Sequence, residues 1–273
     1  MVAVDPVKLG RLREELGERA EQVELLDMHE LGRNPGRIIP AWERFLNDPQ
    51  NAGRGFRGIG EPIWAGRTEA ELVECQLHES LLNLAFAEAE DFTLLCPYDV
   101  AALESAVVHE ARCSHPDTVQ DDEPQVSREY RGADDLLSPF ELPLPRPPAG
   151  SAVLSFDRRT LRDVRVSAAE HGEIGGLDAR RNGDLVLAVN EMAANSLRHG
   201  GGRGVLRMWR DTGSIVCEIR DGGRIDDPLV GRRMPRTDQL GGWGVWTAHQ
   251  ISDLLQLRSG HDGTVVRVHM NVP

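Results

Sequence analysis

Residues 184–204, DLVLAVNEMAANSLRHGGGRG, place a carboxylate at Glu191 and a carboxamide at Asn195, four positions apart. Leu185, Val189 and Met192 recur at helical spacing, so the segment reads as a helix with one apolar face running into a glycine turn. Residues four apart on a helix lie on one face, one turn from each other. A carboxylate there can take a proton from a hydroxyl or a water. A carboxamide offers a neutral hard oxygen of the kind magnesium accepts. Arg198 falls near the same arc. A lone E-x-x-x-N is more often a solvated face, and the downstream boxes change that balance. Arg220-Asp221-Gly222-Gly223 puts a carboxylate at a strand end before two glycines that permit close backbone approach. Leu240-Gly241-Gly242-Trp243-Gly244-Val245 opens a helix, where free N–H groups and the helix dipole favour phosphate. Asp262-Gly263-Thr264-Val265 follows.

The surrounding periodicities predict the elements that hold these residues. Residues 153–156 read as a strand, 161–171 as a helix, and 205–210 with 215–220 as a hairpin around Asp211-Thr212-Gly213. Residues 247–251 are helical, and 254–257 and 264–270 are strands. In the first half, helical spacing at 8–21, 35–46, 68–88 and 100–112 alternates with short apolar runs at 23–28, 55–60 and 92–96. That alternation predicts an α/β layer with a parallel sheet. Thr68 followed three residues later by Glu71 fits a capping box.

Length and charge divide the chain. Its 273 residues suffice for two domains with separate cores. Of 31 basic and 44 acidic residues, 14 and 29 fall in residues 1–150, so the net charge of −13 belongs to the first half. An acidic half argues against a nucleic-acid surface there. Lys8 is the only lysine, which excludes a Walker-type phosphate loop; Arg232, Arg233 and Arg236 precede the second glycine box and supply the nearby positive charge. Residues 118–150 are rich in acid and proline and read as a semi-rigid linker between domains at 1–117 and 151–273. No run approaches membrane-span length and MVAVDPVKLG has no signal-peptide core, so the expectation is a cytoplasmic chain without a membrane segment. The four scattered cysteines are then expected to be reduced.

The four boxes, in this order over residues 153–272, resemble the ATP-binding domain shared by gyrase, histidine kinases and MutL, the GHKL or Bergerat type. Within that group the similarity is to the anti-sigma-factor serine kinases. The resemblance implies an α/β sandwich, ATP and Mg2+ as cofactors, Glu191 as catalytic base and Asn195 as the magnesium ligand. It further implies Asp221 and Gly223 around adenine, with Thr264 contributing its hydroxyl, and Gly241, Gly242 and Gly244 around phosphate. The partners it implies are a sigma factor or an anti-anti-sigma factor. One position departs from the pattern: Ile225 stands two residues after Gly223, where the family has another glycine.

Residues 1–117 resemble the MEDS sensory domain, which precedes such ATPase domains in actinobacterial regulators. Glu30-Leu31-Gly32-Arg33-Asn34-Pro35, Gly58-Ile59-Gly60-Glu61-Pro62-Ile63-Trp64, Glu74-Cys75-Gln76-Leu77-His78-Glu79 and Leu95-Cys96-Pro97-Tyr98-Asp99 carry the resemblance. The family begins with an extra strand and helix. Their lack here implies an open sheet edge and a homodimer or another cover. Cys75, His78, Cys96, His109, Cys113 and His115 match no metal-motif spacing and read as buried residues, with zinc as the sharper alternative. Glu61, Trp64, His78 and Tyr98 are candidates for a ligand pocket.

The resulting reading is an ATP-dependent protein serine kinase or sigma-binding switch that controls transcription. An inactive partner-sequestering module is the alternative favoured by Ile225. A sensor histidine kinase is disfavoured by the prolyl linker after His78-Glu79.

Overall fold

The computed structural model describes residues 1–51, 55–120, 123–235 and 241–272. Two compact units, Met1–Phe140 and Glu141–Pro273, account for the chain.

The first unit runs β1 (Val2–Val4), α1 (Pro6–Leu16), β2 (Leu25–Asp27), α2 (Met28–Leu31), α3 (Ile38–Leu46), β3 (Phe56–Gly60), α4 (Glu69–Ala85), β4 (Phe92–Leu95) and α5 (Ser105–Ser114). Among the described residues it holds a four-stranded sheet of order β2-β1-β3-β4, with every pairing parallel. The parallel layer is the one the alternating pattern predicts. Within it β1 is internal, paired with β2 on one side and β3 on the other, and β2 and β4 are the edge strands. A three-residue strand offers no room for a period-two signal, which is why VAV is silent in the sequence. Thr68 forms the full capping box, its hydroxyl accepting from Glu71 N while Glu71 Oε2 accepts from Thr68 N at 2.8 Å. Helix α5 begins at Ser105 rather than near residue 100, because Asp99 Oδ1 accepts from Ala101 N and Ala102 N and holds that stretch as a turn. Trp42, Ile38, Ile39, Met28 and Leu81 are fully buried in this unit.

Within the span read as linker, β5 (Asp117–Gln120) and β6 (Glu123–Val126) form an antiparallel hairpin. Leu136 and Phe140 are buried beyond it.

The second unit runs β7 (Ala152–Asp157), α6 (Leu161–Gly175), α7 (Ala179–His199), β8 (Arg203–Asp211), β9 (Ser214–Asp221), α8 (Trp243–Ile251), β10 (Leu254–Gly260) and β11 (Gly263–Asn271). Among the described residues these strands form one five-stranded sheet, order β10-β11-β9-β8-β7. Every pairing is antiparallel, and the connections explain why. β8–β9 and β10–β11 are tight hairpins, and the helix pair α6–α7 intervenes between β7 and β8, returning the chain to the sheet in reverse.

Helix α7 starts five residues before the predicted point. Asp178 caps it, accepting from Arg181 N at 2.8 Å. Leu185, Ala188, Val189, Met192 and Ala193 then pack on Ile215, Cys217 and Ile219 of β9 and Val266, Val268 and Met270 of β11. Full burial of a Leu, Val or Met side chain contributes about 1.5–3 kcal/mol, so this stripe fixes the rotation of α7 about its axis. The opposite face of the sheet is polar. There Arg267 donates to Glu218 Oε2 at 2.9 Å and to the Pro145 carbonyl, which ties the proline-rich segment to the sheet.

Candidate functional site

With its apolar stripe on the sheet, α7 turns Glu191 and Asn195 toward the start of α8. Both side chains are half-buried. A Cβ built at Gly244 would lie 3.0 Å from Glu191 Oε2, 3.2 Å from Asn195 Nδ2 and 3.5 Å from Asn195 Oδ1. Glycine at this position is therefore a matter of space: the carboxylate and the carboxamide sit against the α8 backbone. Gly241 and Gly242 reach the turn with φ of 116° and 84°, a conformation other residues rarely adopt. No side chain caps α8. Its first-turn N–H groups thus keep the capacity to bind an anion. Glu191 is held from behind, where Asn190 Nδ2 approaches its Oε1 at 3.5 Å and Arg165 donates to Asn190 Oδ1 at 3.1 Å.

The other end of the site is built around Asp221. Its Oδ2 accepts from the Ser196 hydroxyl at 2.5 Å and its Oδ1 from Gly223 N at 2.7 Å. Gly200 makes this possible, since a Cβ there would fall 2.4 Å from Asp221 Cγ. Thr264 is buried and donates to the Gly223 carbonyl at 2.9 Å. Its hydroxyl also lies 2.8 Å from Ser259 Oγ, which accepts from Ile225 N at 2.8 Å. The glycine box is thereby closed by hydroxyls of β10 and β11, with Ile225 in the place the family gives to glycine.

The structure thus brings Glu191, Asn195 and Gly244 together, and separately Asp221, Gly223 and Thr264, both along α7. Arg198 is exposed near its C-terminus, Arg232 is buried and Arg233 exposed. Arg236 and Leu240 lie outside the described residues. Ser196, Ser259 and Gly200 were not singled out by sequence reasoning. Ser196 follows Asn195 directly, so a helical wheel places it beside the site face; Ser259 carries no comparable local signal. Cys217, beneath the site in the core, has its thiol pushed up to about 12 by burial.

In the first unit the four proposed pocket residues have separate engagements. Lys8 donates to Glu61 Oε1 at 2.5 Å. The Arg67 guanidinium lies 3.6 Å over the Trp64 ring. Tyr98 meets the His115 ring edge-on at 5.9 Å. His78 is buried on α4. All four cysteines are free thiols. Among the described residues no helix is long and apolar enough to cross a membrane.

A five-stranded sheet carrying α7, with Glu191 and Asn195 against the glycine-opened start of α8, defines an α/β sandwich. Comparison with known proteins gives the particulars. Residues 1–116 match the family described as MEDS, the MEthanogen/methylotroph, DcmR Sensory domain, and residues 154–270 match the Histidine kinase-like ATPase domain. The chain is therefore a MEDS domain followed by a GHKL-like ATPase domain. Among solved structures it is similar to the RsbU and RsbW domains of Rv1364c from Mycobacterium tuberculosis, at 19% identity and a TM-score of 0.34. That match spans 46% of this chain and 33% of the other, about a third of its length. None of the curated proteins compared with the chain matches it.

Proposed function

We propose that this protein is an anti-sigma-factor-type regulator. Its ATPase unit uses magnesium–ATP to phosphorylate a serine on an anti-anti-sigma partner, or holds a sigma factor, in the cytoplasm, under control of the MEDS unit. The observation that carries the reading is the approach of Glu191 and Asn195 to Gly244. It joins a proton acceptor, a hard oxygen ligand and a phosphate-binding helix start in one place.

The chemistry follows from the parts. A serine hydroxyl attacks the γ-phosphorus of ATP, ADP leaves, and Glu191 takes the hydroxyl proton. Asn195 Oδ1 would hold Mg2+, which would supply charge neutralisation to the phosphates. The α8 N-terminus receives phosphate oxygens. Asp221, already fixed by Ser196 and Gly223, retains lone pairs for the adenine amine. Thr264 braces the box from beneath.

The second reading, a sequestering module without catalysis, is favoured by Ile225, whose N–H is already bonded to Ser259. The deciding experiment incubates the full chain with Mg2+, γ-labelled ATP and a partner captured from the native cell. Acid-stable label on a partner serine supports the kinase. Tight partner binding without label supports sequestration, and acid-labile label on the chain itself would make it a histidine kinase.

A further inference from the structure

We propose that the first unit contains a site for a thiophilic divalent cation, zinc in kind, formed by Cys96 at the end of β4, Glu79 on α4 and His115 just after α5. The Cys96 Sγ, a Glu79 carboxylate oxygen and a His115 ring nitrogen all lie within 4.8 Å of one another. Thiolate, imidazole and carboxylate are the ligand types zinc takes.

Three further observations point to a cation. His115 Nδ1 donates to the Ala111 carbonyl at 2.8 Å, which fixes the ring and turns Nε2 toward Glu79 at 3.1 Å. A histidine held through its other nitrogen by a backbone carbonyl is the usual arrangement of a metal ligand. Secondly, Glu79 is 1% exposed, yet neither of its oxygens has a well-aligned hydrogen bond. Thirdly, Cys96 and His115 line a cavity of about 800 Å³, with Tyr98 beside them and Leu94, Val108 and Val119 among its apolar walls. The Tyr98 hydroxyl is buried there without a hydrogen-bond partner. Three protein ligands, two of them on the cavity wall, leave a coordination position open to a small molecule, so the site would couple cation binding to whatever enters the apolar space.

A second cluster, His109, Cys113 and Glu129, is more exposed. Both of its imidazole nitrogens are engaged, Nδ1 with Glu129 at 2.9 Å and Nε2 with Cys113 at 3.6 Å. A cation would have to displace both contacts, so this cluster serves as the internal control.

The test is cobalt titration of the metal-free full chain. The expected result is one Co2+ per chain with a thiolate charge-transfer band in the near ultraviolet. Cys96→Ser abolishes the band, His115→Gln weakens cobalt binding by more than the ~10–100-fold typical of losing an outer-shell partner, and Cys113→Ser leaves it unchanged. Absence of the band, or its loss in Cys113→Ser with retention in Cys96→Ser, overturns the proposal. If Cys96→Ser does not fold, X-ray absorption of the zinc-loaded Cys113→Ser chain decides, because that variant lacks the thiol of the second cluster: one sulfur with nitrogen and oxygen neighbours supports the site, and a sulfur-free shell or one with two sulfurs rejects it.

Discussion

The Ser196 hydroxyl donates to Asp221 Oδ2 at 2.5 Å, joining the site face of α7 to the end of β9. Asn195, one residue earlier, lies against Gly244 at the start of α8. Adjacent residues of one helix therefore hold both ends of the site, and the spacing between its carboxylate and its glycine turn is set by a single rigid element.

Ser196→Ala tests that coupling. A hydrogen bond to a charged group contributes about 1.5–3 kcal/mol, and here its loss also frees the Asp221 carboxylate to rotate. ATP affinity of the full chain should fall by roughly tenfold or more, at 1.4 kcal/mol per decade. Calorimetry with magnesium–ATP measures it; affinity equal to wild type would mean Asp221 is held by Gly223 alone.

Gly244→Ala separates space at the site from stability of the fold. In a helix interior the change from glycine to alanine stabilises by about 0.5–1 kcal/mol. The new methyl meets Glu191 Oε2 at 3.0 Å and Asn195 Nδ2 at 3.2 Å. Overpacking of this kind costs about 1–3 kcal/mol, partly offset by the helix gain, and it falls on the two groups proposed for chemistry. The melting temperature should hold or fall modestly, while nucleotide binding and turnover drop much further.

Much of this arrangement was legible because local rules carry it. Glu191 and Asn195 declare their shared face through the apolar stripe at Leu185, Val189 and Met192, and Thr68 declares its helix through Glu71. The capping role of Asp178 was missed because Gly183 interrupts the helical pattern five residues later, though tertiary packing holds the helix through it. β1 was missed because three residues cannot display a period, and its burial comes from neighbours on both sides. The bonds from Ser196 to Asp221 and from Ile225 to Ser259 span 25 and 34 residues. Nothing in the local sequence of Ser259 announces its partner.

The pH response of the fold follows from His269 on β11. Burial, followed by the Arg267 charge, lowers its pKa from 6.5 to about 4. Its Nε2–H donates to Gln256 Oε1 at 3.2 Å in the neutral ring. A depressed histidine binds its proton more readily when unfolded, so its contribution is fully present above 6.5 and is lost as pH falls toward 4. The shift corresponds to about 3 kcal/mol. Urea unfolding of wild type and His269→Gln, compared across that window, should show a steeper loss for wild type. Carboxylates titrating in the same range cancel in the difference, and parallel curves would contradict the assignment.

The last prediction concerns the base itself. Glu191→Gln keeps the size of the side chain and its contacts with Asn190 and the Gly244 backbone, but cannot accept a proton. General-base catalysis contributes about 10²–10⁴-fold, so transfer to a partner serine should fall by that order while magnesium–ATP affinity changes little. Asn195→Ala should do the reverse at the binding step, because it removes the oxygen proposed for Mg2+ and so weakens nucleotide binding itself. Thermal stabilisation by ATP reads this directly, since a ligand that binds only the folded state raises stability by mass action. The two variants must therefore differ in kind: one binds without transferring, the other fails to bind. If Glu191→Gln transfers phosphate as wild type does, its position against Gly244 serves packing and another group takes the proton. If wild type holds its partner and never labels it, the closure of the glycine box by the Ile225 N–H and Ser259 becomes the feature to reverse, and Ser259→Ala, which removes the acceptor, is the variant in which transfer should appear.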